Sequence, residues 1–221
     1  MLSPFQERLA RLFLSMPEAQ DFALAGGAAL VFRNDVSRQT QDLDFFTPVV
    51  EEVPAVFHRF AELLAEVGLD FQVIHASPSF ARLRVREPAG EEALVDIGYD
   101  YRLMEPGETP IGRVLQVEEL AADKLLALFG RAEARDFVDV YVLAARFGID
   151  AMMSWARQKD PGFDPHVLAV MIGHLDRLRR EEFDVDEQDF GALRAFFAEL
   201  RASLIHQSLG RAGTADDAPD S

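Results

Sequence analysis

Near residue 117 the chain changes character. Ahead of that point strand-like and helix-like stretches interleave; beyond it every periodic stretch is helical. The front half begins with a helix over about 4–15, capped by Ser3 with Pro4 in its first turn. A short apolar strand at 22–25 runs into Gly26-Gly27, which opens a second helix. A strand over 42–46 follows a polar loop and is punctuated by Pro48. Apolar spacing of three and four predicts a helix over 51–67 that stops at Gly68, and strand-like runs follow at 69–75, 80–86 and 93–100. In the second of these, Phe80, Leu83 and Val85 are set against charges, with Ala81-Arg82 out of phase, and 87–90 reads as a hairpin loop. The back half predicts helices at 117–129, 134–147, 150–158, 165–180 and 189–206. The expected class is α+β: a small mixed β-sheet flanked by helices over 1–116, a helical subdomain over 117–207, and a disordered acidic tail over 208–221.

The 221 residues, 49% hydrophobic, suffice for one good core. The formal charge of −16 repels polyphosphate on average, so a nucleic-acid substrate needs a local basic patch. Arg82, Arg84 and Arg86 alternate along one stretch, and Arg131 and Arg135 flank a later one; solvated surface arginines fit the same pattern. The chain has no cysteine, which excludes disulfides and thiolate metal sites and fits a cytoplasmic protein. No run approaches the roughly 18 apolar residues of a membrane span, and the first residues do not read as a signal peptide. The five histidines are scattered without zinc-ligand spacing, and no nucleophile-elbow, Walker or dinucleotide fingerprint occurs.

Three elements carry chemistry. The run Leu24-Ala25-Gly26-Gly27-Ala28-Ala29-Leu30 turns tightly from strand to helix and presents backbone N–H groups suited to phosphate oxygens, although such turns are common without that role. In Asp42-Leu43-Asp44 both carboxylates share one face of a strand, about 6–7 Å apart, while Leu43 and Phe45 point to the core. Such a pair repels unless a cation sits between its members, and magnesium favours oxygen ligands. A pair of such ions can clamp both oxygens in phosphoryl or nucleotidyl transfer. A turn cap at Asp42 with a solvated Asp44 is the plainer alternative. Asp96 interrupts the apolar run Ala93–Ile97, where a charge requires a partner or a metal unless it sits at a wet strand edge.

Together these resemble the nucleotidyltransferase superfamily. The fuller text LAGGAAL followed by R-x-x-x-DLDFF is similar to the AbiEii/AbiGii toxin family of nucleotidyltransferases, the toxin halves of bacterial toxin–antitoxin and phage-defence pairs. A second similarity begins at Leu120-Ala121-Ala122-Asp123-Lys124, continues with Arg131, and ends on Arg135-Asp136-Phe137-Val138-Asp139. The resemblance spans about 22–147. It implies that Asp42 and Asp44 hold two magnesium ions and that Asp96 is the third carboxylate, as ligand or as base. It further implies that Lys124 neutralises the nucleotide's phosphates, that Asp136 is another active-site carboxylate, and that Gly26 and Gly27 cradle the triphosphate. Arg38 is a candidate for the nucleotide, and with Arg33, Arg82, Arg84 and Arg86 for an acceptor groove. The implied substrates are an NTP and an RNA acceptor, with tRNA ends foremost, and the implied partner is a cognate antitoxin.

Two positions depart from, or vary within, the family pattern. Ala28 stands where a hydroxyl residue is usual, which removes a hydrogen bond worth about 1–3 kcal/mol to a charged phosphate. Thr40, two before Asp42, keeps the hydroxyl of the usual serine. Ala28 is the feature that favours the rival reading, a catalytically weakened binding module acting through a protein partner. A helix unbroken from 117 would put Lys124, Arg131 and Arg135 on one face, but Gly130 argues against such a helix.

Overall fold

The computed structural model describes residues 1–213. The chain divides into two compact units, Met1–Leu120 and Ala121–Ser221. The division falls inside α4 (Val117–Gly130) rather than ahead of it.

The first unit is a seven-stranded mixed sheet with helices. In chain order it holds α1 (Pro4–Leu14), β1 (Ala23–Ala25), α2 (Gly26–Phe32), β2 (Asp42–Thr47) and α3 (Val53–Glu66). After these come β3 (Asp70–Ala76), β4 (Phe80–Arg86), β5 (Glu92–Tyr99), β6 (Gly107–Thr109) and β7 (Gly112–Val114). The strands lie in the order β3-β4-β5-β2-β1-β7-β6. The pairs β2–β5 and β1–β7 are parallel; β1–β2, β3–β4, β4–β5 and β6–β7 are antiparallel. Parallel β2 and β5 are adjacent because the chain from 48 to 91 leaves and returns through α3 and the β3–β4 hairpin.

Period-two burial sets which face each side chain takes. On β2, Leu43, Phe45 and Thr47 are buried while Asp42, Asp44 and Phe46 face the other way. Phe45 stacks on Phe13 of α1 at 4.0 Å, and Phe22 and Phe60 meet Phe13 edge-on at 5.6 and 5.1 Å. One aromatic cluster therefore fixes α1, β2 and α3, and holds the aspartate-bearing strand rigid from behind. At the start of α1, Ser3 and Gln6 form the capping box, and Gln6 Nε2 also donates to Thr40 O at 2.7 Å, tying down the loop before β2.

Some expectations required revision. On β4 it is Ala81, Leu83 and Val85 that are buried, so Phe80 shares a face with Arg82, Arg84 and Arg86. The predicted helix 51–67 starts with a 3-10 turn, Val50–Glu52, before α3. Strands β6 and β7 were not expected; three residues each, rich in glycine and charge, they carry no readable alternation.

The second unit continues α4 and adds α5 (Ala134–Phe147), α6 (Ile149–Lys159), α7 (Pro165–Ile172) and α8 (Glu187–Gly213). Phe137 of α5 meets Phe197 of α8 edge-on at 5.0 Å, and Phe147 meets Trp155 of α6 at 5.5 Å. The helix expected over 165–180 ends at Ile172, where Gly173, a poor helix former, opens a 3-10 segment. The break between α4 and α5 comes at 131–133, with Ala132 at φ 53, so Lys124, Arg131 and Arg135 are not on one helix. α8 runs to Gly213, past the expected start of the tail; residues 214–221 of that tail lie outside the described residues. Among the described residues no helix is long and apolar enough to cross a membrane.

Candidate active site

The three aspartates singled out in the first unit come to one face of the sheet. Parallel pairing sets Asp44 of β2 beside Asp96 of β5. Antiparallel pairing sets Arg82 of β4 on the other side of Asp96. Asp44, Asp96 and Arg82 thus form a row across three strands, spaced about 4.8 Å per strand, with Asp42 one pleat along on the same face. Asp42 and Asp44 are half-buried; Asp96 is buried.

Arg82 takes both oxygens of Asp96. Its Nε donates to Oδ1 at 2.6 Å and its Nη2 donates to Oδ2, the forked arrangement that a guanidinium and a carboxylate favour. The Asp96 side chain is 6% exposed and that of Arg82 is 41% exposed. These hydrogen bonds hold Arg82 protonated even more firmly than usual. Burial opposes them, and the charges of Asp96, Asp42 and Asp44 reinforce them. Arg82 also lies over the Phe80 ring at 5.8 Å. The signal for this pair was in the sequence: counted outward in equal steps from the 87–91 turn, Arg82 and Asp96 fall opposite each other.

The glycine turn packs directly on this face. Gly26 has φ +59, and a Cβ there would stand 1.8 Å from Asp44 Oδ2, so no other residue fits. A Cβ on Gly27 would stand 2.7 Å from Arg38 Nη2. The register pair Ala25–Asp44 explains the contact: the turn leaves β1 immediately beside the second aspartate. Arg38 donates from Nη1 to Gln39 O at 2.9 Å, and Thr40 Oγ1 donates to Asp42 O at 3.3 Å. Gly26, Gly27, Arg38, Asp42, Asp44, Arg82 and Asp96 therefore make one constellation. Arg33 is elsewhere engaged, with Asp35 at 3.2 Å, while Arg84 and Arg86 lie further along β4 and pair with Glu92.

The second unit holds the other two candidates in ion pairs, that of Lys124 buried at both ends and that of Asp136 with a half-exposed arginine. Lys124 Nζ lies 2.9 Å from Asp139 Oδ2, the side chains 7% and 0% exposed. Asp136, fully buried, accepts from Arg131 Nε and Nη2 at 2.9 Å each and from Glu133 N at 3.2 Å, as part of the capping box that starts α5. Lys159, the other of the chain's two lysines, is buried against Asp123. Asp139 and Asp123 stand in the sequence signature, but their pairing with the lysines is not legible there because helix packing, not spacing, makes it.

The face has the chemistry of a hard-cation site in kind: carboxylate oxygens of Asp42 and Asp44, with Asp96 adjacent. Asp96, however, presents its oxygens to Arg82, and among the described residues no three acidic or histidine side chains converge to hold an ion.

The chain is similar to known proteins along most of its length. Residues 8–209 match the family model for the nucleotidyl transferase AbiEii toxin of type IV toxin–antitoxin systems. No curated protein matches the chain in sequence. Among solved structures, JHP933 from Helicobacter pylori is 20% identical, with a TM-score of 0.54 over 98% of this chain and 100% of that one. A putative nucleotidyltransferase from H. pylori is 21% identical, with a TM-score of 0.54 over 96% and 99% of the two chains. At these identities the structures speak for a shared fold. The family model spans nearly the whole chain, and the chain belongs to the AbiEii family of nucleotidyltransferase toxins.

Proposed function

We propose that the chain moves a nucleoside monophosphate from an NTP to an RNA acceptor, with the end of a tRNA as the leading candidate, in a magnesium-dependent reaction. The observation that carries this reading is the Asp44 carboxylate set against the Gly26-Gly27 turn, with Asp42 on the same face and Asp96 next in register. The acceptor hydroxyl oxygen would form a bond to the α-phosphorus as the bond to the β-phosphate oxygen breaks. Pyrophosphate then leaves, and the hydroxyl proton passes to a carboxylate base. Bound magnesium would supply charge neutralisation at the phosphate oxygens and acidify the attacking hydroxyl. Asp42 and Asp44 would hold it; Gly26, Gly27 and Arg38 would receive the phosphates. Lys124 and Asp136 enter on the family signature, although here they are an ion-paired lysine and a buried helix cap.

The same reading makes the chain the toxin component of a cytoplasmic pair with a cognate antitoxin. The rival, a weakened module acting through its partner, draws on Ala28 and on the engagement of Asp96 by Arg82.

Transfer of label from each of four α-labelled NTPs to total RNA, with magnesium, separates the two. Expected is a labelled RNA band that Asp44→Ala reduces by about 10²–10³-fold or more, the scale of losing one preorganised electrostatic group. The size of the band names the acceptor class. Absence of both label and NTP binding would leave the module standing.

A further inference from the structure

We infer that Arg82 is the resident counter-ion of Asp96 on the aspartate face, and that a divalent cation competes with the Arg82 guanidinium for that carboxylate. The inference rests on the reading that this face takes such a cation.

Three aspartates on neighbouring positions of two paired strands repel one another, and positive charge beside them lowers that cost. Arg82 supplies such a charge at Asp96. It is the register partner of Asp96, grips both Asp96 oxygens, and its guanidinium is also drawn by Asp42 and Asp44. The pair is uneven in burial. The Asp96 side chain is 6% exposed, on a strand whose neighbours Val95 and Ile97 anchor the opposite face in the core, whereas Arg82 is 41% exposed on a long stem over Phe80. The aspartate is therefore the fixed member and the arginine the one able to leave, because its long side chain is already two-fifths exposed.

While the fork is made, each Asp96 oxygen accepts from Arg82, so a cation that takes Asp96 must share or displace those bonds. When a cation takes Asp96, the displaced guanidinium remains near the site and meets the phosphates that arrive with the nucleotide, its natural alternative partners. Arg82 is thus a positioning residue that makes assembly of the third ligand conditional on substrate. The neighbouring Arg84 and Arg86 do not serve this way, since both are set along Glu92, away from Asp96.

Manganese(II) binding to the full chain without nucleotide, followed by paramagnetic resonance, tests this without any turnover. Arg82→Met should bind the ion at least tenfold tighter than wild type, and the gain should vanish in the double variant with Asp96→Asn. Manganese should also raise the melting temperature of Arg82→Met more than that of wild type. Damage to the fold would lower affinity, so a gain cannot come from it. Equal or weaker binding by Arg82→Met overturns the inference. If that variant does not fold, Arg82→Lys, which keeps charge but loses the fork, should gain a few-fold, and no gain overturns it equally. Wild-type binding that no Arg82 change improves sinks this inference alone. Failure of every variant to bind manganese, with or without NTP, sinks the magnesium reading along with it.

Discussion

Asp96 in the sheet unit and Asp139 in the helical unit are both buried aspartates held by a cation, yet their circumstances differ. Asp139 is fully buried and its Lys124 is 7% exposed, so the pair is closed from both sides. Asp96 faces an arginine that is two-fifths exposed, and two further aspartates share its face. A pair buried at both ends behaves as part of the core: breaking it strands a charge in low dielectric. A pair with one half-exposed member and like-charged neighbours can exchange partners at lower cost. The sequence does not tell the two aspartates apart in this respect; burial of the cation and the neighbouring aspartates do.

The sharpest way to break this contrast is Asp139→Ala. Stranding the Lys124 ammonium should cost about 3–5 kcal/mol in denaturant unfolding. A loss below about 1 kcal/mol would mean that Lys124 reaches water or phosphate readily, and that the helical pair exchanges as the Arg82 pair does.

A smaller effect is expected at Glu52, whose carboxyl is pushed above its ordinary 4.5 by burial first, then by the charge and hydrogen bond of Asp21, with Thr47 opposing. A raised carboxyl stabilises the fold when protonated: its contribution is complete below pH 4.5 and is lost as pH rises through the folded value. Glu52→Gln should therefore be more stable than wild type at pH 7, by less than about 1 kcal/mol, with the advantage gone below pH 4.5. Thermal melts across pH 4–8 read the crossing, and an advantage that grows toward acid would refute the sign.

Least of all is expected at Arg86→Ala, which removes an ion pair with Glu92 whose side chains are 59% and 40% exposed. The change in unfolding free energy should stay within about 0.5 kcal/mol. A larger loss would show that the outer β4 arginines support the sheet after all, and would blur the distinction drawn for Arg82.

What was legible in the sequence follows from the range of the forces involved. The aspartate face of β2 could be read because strand periodicity is local; the bounds of β4 were read to the residue and those of α5 approximately. The glycine turn and its neighbour Asp44 needed one further fact, the pairing of β1 with β2. The sequence sets Phe80 with Leu83 and Val85 against the charges, but the strand phase puts Phe80 with the arginines, and Ala81 fills the core position. The β6–β7 hairpin was invisible, since three-residue strands leave no pattern. Lys124, Asp136 and Asp139 were found as a signature, but their pairing depends on how α4 and α5 pack.

The burial of both lysines has a chemical consequence. With Lys124 and Lys159 enclosed in ion pairs, acylating reagents and lysine-directed conjugating enzymes find no side-chain amine within reach on the folded protein. Guanidinium groups carry the permanent positive charge of its surface, and acetylation cannot erase them. The folded chain should therefore resist amine labelling at both positions, and reactivity at Lys124 would directly report that its pair with Asp139 has opened.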